Sequence, residues 1–309
     1  MMTIKTEKVT FTSNNTTVVG ILRTPENSQT KLPAIVSVHP VSGSKEQTAG
    51  LYAEKLAHEG FVTLAYDASH QGESVSAPEY VENPYFRVED VRAAVDYLTT
   101  LDSVDNNRIG ALGICAGGGY ATSATLSDRR IKVLGTVVGV NFGRFSRESD
   151  VTPDAAIRDL EQIAELRTAE ANGAEPYVTQ YIPNSPEELA QTGIDELDVK
   201  EAVDYYRTSR GQSENSPNKW RYSGSAGLYT FDAFFPAEKL LTQPVQIIAG
   251  DVPGAFGSYR DAYDLYNRAR STEKDLHIVK GASHYDLYDQ PEQVNEALSK
   301  LVPFYNKYL

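Results

Sequence analysis

The residues with the clearest capacity for chemistry are Gly113-Ile114-Cys115-Ala116-Gly117 and, far along the chain, Gly281-Ala282-Ser283-His284. A thiol with glycines two residues to either side, set between an apolar run and a run of small residues, has the pattern of a nucleophile elbow. In that motif a strand turns sharply into a helix with the nucleophile at the apex. The glycines have a steric role: the apex residue takes a strained backbone, and a Cβ at either glycine would collide with a neighbouring strand or helix. Gly117-Gly118-Gly119-Tyr120 then lets the helix pack close to the sheet. Its N-terminus directs the helix dipole at the sulfur, which lowers a thiol pKa. The alternative is a buried, inert cysteine in a glycine-rich turn, because lone cysteines commonly behave as small hydrophobes. A dinucleotide-binding loop fits worse, since the Gly-x-Gly-x-x-Gly spacing is absent.

The elements that would position these groups can be read in order. Residues 4–11 and 16–22 are β-branched runs around Ser13-Asn14-Asn15, the pattern of an antiparallel hairpin. Residues 34–38 form an apolar run, interrupted only by Ser37, of the buried parallel kind, ending in His39-Pro40-Val41-Ser42-Gly43. A helix over 51–58 leads to a strand over 61–66, which ends in Asp67-Ala68-Ser69-His70-Gln71-Gly72-Glu73-Ser74. Apolar residues at helical spacing fill 88–101, before the strand 108–114, the helix 116–126 and the strand 133–140. Strand and helix thus alternate from 34 to 140, which predicts a doubly wound, mostly parallel sheet with ligands at the carboxyl ends of its strands. His39, Asp67, Cys115 and Asn141 all sit at such ends. The sheet resumes with strands over 245–249 and 276–279 around a helix over 260–270, and a helix over 292–308 closes the chain.

Residues 142–242 break the alternation. Three capped helices are expected there: from Thr152-Pro153 to near Gly173, from Ser185-Pro186 to Gly193, and from Asp198 to Gly211. An aromatic segment with Trp220, Tyr222, Tyr229, Phe231, Phe234 and Phe235 follows. The expected division is therefore a core of residues 1–141 and 243–309 with a helical cap over 142–242, its aromatics lining an acyl pocket or merely packing the junction.

Composition excludes several classes. The chain has 309 residues and a formal net charge of −13, with no basic patch to engage nucleic acid or an anionic membrane. Neither a signal peptide nor a transmembrane stretch is visible, so a cytoplasmic location is expected. One cysteine permits no internal disulfide and no cysteine-cluster metal site.

In His39-Pro40, Lys45-Glu46-Gln47-Thr48-Ala49-Gly50, residues 67–74, Gly113–Tyr120 and Gly281–His284, taken in that order, the chain resembles the α/β-hydrolases. It looks like the dienelactone hydrolase-like branch, near xylan-esterase-like proteins and polyketide transferase-type thiohydrolases, over nearly all of residues 4–308. The resemblance implies a Cys115–His284 pair completed by an acid, with the backbone N–H groups of Val41 and Ala116 as the oxyanion hole. The family acid commonly sits three residues past the strand-ending Gly250, where this chain has Pro253. Asp251 is the first choice for that role, with Glu46 and Asp286 behind it. The expected activity is cleavage of an ester, thioester or lactone of a small carboxylic acid through an acyl-enzyme, with no metal or organic cofactor. A transferase using the same residues and a catalytically silent binding protein are the rivals. A small acyl compound is the expected partner, and a homodimer through the cap is left open.

Overall fold

The computed structural model describes residues 3–150, 152 and 154–309. Its centre is an eight-stranded sheet in the order β1-β2-β4-β3-β5-β6-β9-β10. β1 (Ile4–Ser13) and β2 (Thr16–Pro25) form the expected hairpin, and β2 runs antiparallel to β4 (Val62–Tyr66). β3 (Leu32–Val38), β5 (Val104–Ile114), β6 (Ile131–Val137), β9 (Val245–Gly250) and β10 (Lys274–Val279) continue the sheet in parallel from β4. β9 is buried along its whole length. The edge strand β1 is instead largely exposed and carries Lys5, Glu7 and Lys8, charges that shield an edge from pairing with other chains.

α1 (Thr48–His58), α2 (Pro84–Thr99), α3 (Ala116–Ser127), α10 (Ser258–Arg268) and α12 (Pro291–Tyr308) cover the sheet. α2 begins four residues before the apolar periodicity. Its start is fixed by Asn83, whose side chain accepts the Tyr85 N–H, and by Pro84 in the first turn. β5 likewise begins at Val104, because its first half, Val104-Asp105-Asn106-Asn107, is half exposed and carries no apolar run. A single-turn helix, α11 (Asp286–Asp289), follows β10.

Between β6 and β9 the chain makes α4 (Phe142–Glu148), α5 (Ala155–Ala171), α6 (Pro186–Thr192), α7 (Leu197–Arg207), α8 (Ala226–Thr230) and α9 (Ala237–Leu240). A short antiparallel pair joins β7 (Val178–Thr179) to β8 (Trp220–Arg221). Three of these six helices match the expected set, although the Pro153 start of the first lies outside the described residues. α4 escaped the sequence reading because it is only about two turns of mixed polarity, capped by the Asn141 side chain accepting the Arg144 N–H. The expected aromatic segment divides in two: Phe231 and Phe234 are buried, whereas Phe235 is 64% exposed. Among the described residues, no helix is long and apolar enough to cross a membrane.

Candidate active site

Cys115 stands between β5 and α3 with φ +54°, a left-handed conformation that side chains rarely adopt. The flanking glycines make that turn possible. A Cβ on Gly113 would lie 2.2 Å from the Gly117 carbonyl oxygen, and one on Gly117 would lie 2.2 Å from the Val38 carbonyl oxygen. The Cys115 backbone is locked as well: its N–H donates to Val137, and its carbonyl accepts from Gly118 and Val140. The apex therefore holds one orientation, with the thiol 5% exposed at the floor of a cavity of about 300 Å³.

Val41 lines the same cavity. Among the described residues, its N–H donates to no oxygen of the chain, while the Ala116 N–H points at the Cys115 sulfur. The Ala116 donor thus meets the thiol, and Val41, with its N–H unused by the described backbone, lines the same cavity. The loop carrying Val41 is pinned from below and above. Arg87 donates to the His39 carbonyl at 2.6 Å, and the His39 Nε2 accepts the Ala68 N–H while its Nδ1–H donates to Pro40. Burial and the nearby Arg87 and Lys45 charges hold the His39 pKa well below the ordinary value, outweighing the opposite pull of the Pro40 carbonyl, so the neutral ring acts as a brace. From above, Gln47 donates to Gly211 and Ser216 to the Ser42 carbonyl, which ties this loop to the β6–β9 insertion.

His284 lies in the loop between β10 and α11, fully buried. Its Nδ1 is 3.0 Å from the Ser258 hydroxyl, and its Nε2 is 3.3 Å from the Tyr288 hydroxyl. That same hydroxyl hydrogen-bonds the Cys115 thiol. Tyr288 therefore stands between the thiol and the imidazole. Burial pushes the thiol up to about 12, against weaker pulls from Tyr288 and the Ala116 N–H, and burial lowers the imidazole to about 3. Thiol and imidazole are both neutral at rest. The lowered thiol pKa expected from the helix dipole is outweighed by desolvation.

The three candidate acids are not brought to His284. Asp251 is exposed and accepts the Gly281 N–H at 2.6 Å, so it braces the histidine loop rather than the ring. Asp286 accepts the Ser283 N–H. Glu46 accepts from Lys45 and Asn215. The place facing Nδ1 belongs to Ser258, set there by Gly257, whose φ of +70° turns the chain into α10. A buried carboxylate does approach the site from the insertion: Asp198 on α7 accepts the Phe256 N–H at 2.7 Å, and burial raises its pKa to about 6. Ser258, Tyr288 and Asp198 were all missed by sequence reasoning. The signal in the sequence is the four-residue spacing of His284 and Tyr288, which brings both rings together at the turn into α11.

Asp67 and Glu73 join Glu46 in a group of carboxylates close enough to share a metal ion. The Lys45 ammonium already fills it, at 2.6 Å from Glu46, 2.7 Å from Asp67 and 2.6 Å from Glu73. Burial disfavours that charge, but the carboxylates outweigh it and raise the Lys45 pKa. The chemistry of the group is that of a buried ion-pair network holding the loop after β3 to the turn after β4.

The family model for the dienelactone hydrolase family matches residues 18–138, which include β2 to β6 and the elbow. The uncharacterized protein YcjY of Escherichia coli is 44% identical over 98% of this chain and 99% of its own length. The crystal structure of hypothetical protein PA2218 from Pseudomonas aeruginosa superposes with a TM-score of 0.89 at 32% identity, covering 99% of this chain and 94% of that one. The thiohydrolase aneE of Aspergillus aculeatus is 25% identical over 72% of this chain and 69% of its own. With the sheet order, these likenesses give the α/β-hydrolase fold.

Proposed function

We propose, for a chain that belongs to the dienelactone hydrolase family and is of hydrolase type, that Cys115 cleaves an ester, thioester or lactone of a small carboxylic acid through an acyl-enzyme. The observation that carries this reading is the thiol at a strained apex, opening on a cavity that Val41 lines, with the Ala116 N–H directed at the sulfur. The thiohydrolase name of the Aspergillus relative favours thioesters.

The neutral resting pair sets the order of events. Its hydrogen bonds suit an Nδ1–H donating to Ser258 and an Nε2 accepting from Tyr288. As the carbonyl carbon approaches, the thiol proton passes to the Tyr288 oxygen while the Tyr288 proton passes to Nε2, and the sulfur forms its bond to carbon. The Val41 and Ala116 N–H groups receive the developing oxyanion. One such donor is worth about 2.7–4 kcal/mol in related sites. The imidazolium returns its proton through the same hydroxyl to the leaving alcohol or thiol as the tetrahedral intermediate collapses. Water then attacks the acyl-enzyme with His284 as base and releases the acid and the free thiol. The β6–β9 insertion acts as a cap that limits water during these steps.

A panel of p-nitrophenyl esters and acyl-thioesters of graded chain length tests the activity. Turnover by the native protein, abolished in Cys115→Ala, supports the reading, and turnover surviving that substitution overturns it. Product that accumulates only when an acceptor alcohol or thiol is present would instead mark a transferase.

A further inference from the structure

The wall of the cavity carries one formal charge. Among the described residues, no lysine, arginine or histidine lines it, and Asp159 is its one carboxylate. Asp159 belongs to α5, on the insertion side, whereas Cys115 belongs to the sheet side. Its carboxylate accepts the Tyr229 hydroxyl at 2.8 Å, with the Tyr222 hydroxyl joined to the same pair. No cation among the described residues pairs with it. Arg147 directs its guanidinium to the Tyr229 and Phe231 carbonyls, and Arg158 faces Asp150 at 3.9 Å. A carboxylate offers about four acceptor positions, so two phenols leave it capacity for a further donor.

We propose that this cavity is built for acyl compounds whose end remote from the reacting carbonyl carries a protonated amine, received by Asp159 between the faces of Trp220, Tyr222 and Tyr229. The reacting end rests on the Cys115 reading above; the remote end rests on the wall alone. An unpaired carboxylate beside apolar surface is unfavourable, and a cation compensates it in a way that a methyl group does not. Aromatic faces carry negative quadrupoles that add to the attraction. A remote carboxylate meets repulsion from Asp159 and no compensating base. The purely structural alternative is that Asp159 serves only to pin Tyr229 and Tyr222 to α5, in which case it has no influence on substrate rank.

Two readouts separate these ideas. The first is kcat/KM at neutral pH for a set of matched N-acetylcysteamine thioesters ending in amino, hydroxyl, methyl or carboxylate groups. The native protein favours the amino over the methyl compound by about tenfold or more and ranks the carboxylate compound last, and Asp159→Asn compresses the amino-to-methyl ratio to about threefold or less. The second readout needs no turnover. Trp220 is the only tryptophan of the chain and lines the cavity, so its fluorescence reports occupancy. Hexylamine saturates this signal about tenfold more tightly than hexanol, and Asp159→Asn removes the difference. No thioester turnover combined with selective amine binding would sink the hydrolase reading and leave this subsite standing. Turnover with no amine preference in the native protein, or a preference that persists in Asp159→Asn, overturns the subsite; should that variant fail to fold, the native ranking decides alone.

Discussion

Cys115 is the single cysteine of the chain, so alkylation by iodoacetamide reads one thiol and needs no correction for competing sites. The closed site raises this thiol from 9.0 to about 12, which corresponds to about 4 kcal/mol against the thiolate. A free cysteine near 8.5 therefore holds about a thousandfold or more thiolate at neutral pH than Cys115 does in the native state. Mass spectrometry after timed exposure should show native labelling slower than labelling in denaturant by about three orders of magnitude at pH 7, with the native rate rising about tenfold per pH unit above it. His284→Ala should change the native rate little, because a neutral imidazole lends the thiolate no charge. A resting thiolate–imidazolium pair predicts the opposite: rapid labelling on a plateau below pH 7, slowed strongly in His284→Ala. That outcome would refute the desolvation argument and with it the proton transfer through Tyr288.

The remaining expectations concern the histidine and its neighbours. Burial lowers the His284 pKa from 6.5 to about 3, so between those values the native state binds fewer protons than the unfolded state; the stability contribution is complete above 6.5 and is lost as pH falls toward 3. His284→Gln should flatten the acid limb of the urea-midpoint profile, from which Asp198, raised to about 6, subtracts with opposite sign; an unchanged limb would show that the ring is not the source. At Nδ1, Ser258→Ala should cost about three- to tenfold in kcat/KM through one lost neutral hydrogen bond, while Asp251→Asn stays within about twofold. A larger effect from Asp251 would return it to the role of the missing acid.

How far the sequence could be read depended on how local each cause was. The elbow was legible because its reason is steric and short-ranged: Gly113 and Gly117 leave room for backbone within about 2.2 Å of where a Cβ would stand. The parallel strands were legible because 34–38 and 245–249 are apolar at every position but Ser37 and Gln246, as strands covered on both faces tend to be. The partner of His284 was not, since its identity depends on where the loop from Asp251 to Gly257 crosses the site. Gly257 turns that loop so that Ser258, and not an acid, faces the ring. The thiol pKa was misjudged for a related reason. The helix dipole can be inferred from the turn itself, but the desolvation that outweighs it comes from residues far away in sequence, among them Tyr206 of the insertion and Phe256, which line the cavity with the thiol.

The most direct measurement of the central claim is a trapped intermediate. Native protein mixed with a slowly hydrolysed acyl-thioester and quenched in acid within the first turnovers should gain one acyl mass. Peptide mapping should place that mass on the fragment containing Cys115. The adduct should disappear with the rate of acid release and be absent from Cys115→Ala. Substrate consumed with no adduct on that fragment, or an adduct on another residue that turns over at the catalytic rate, would contradict the account.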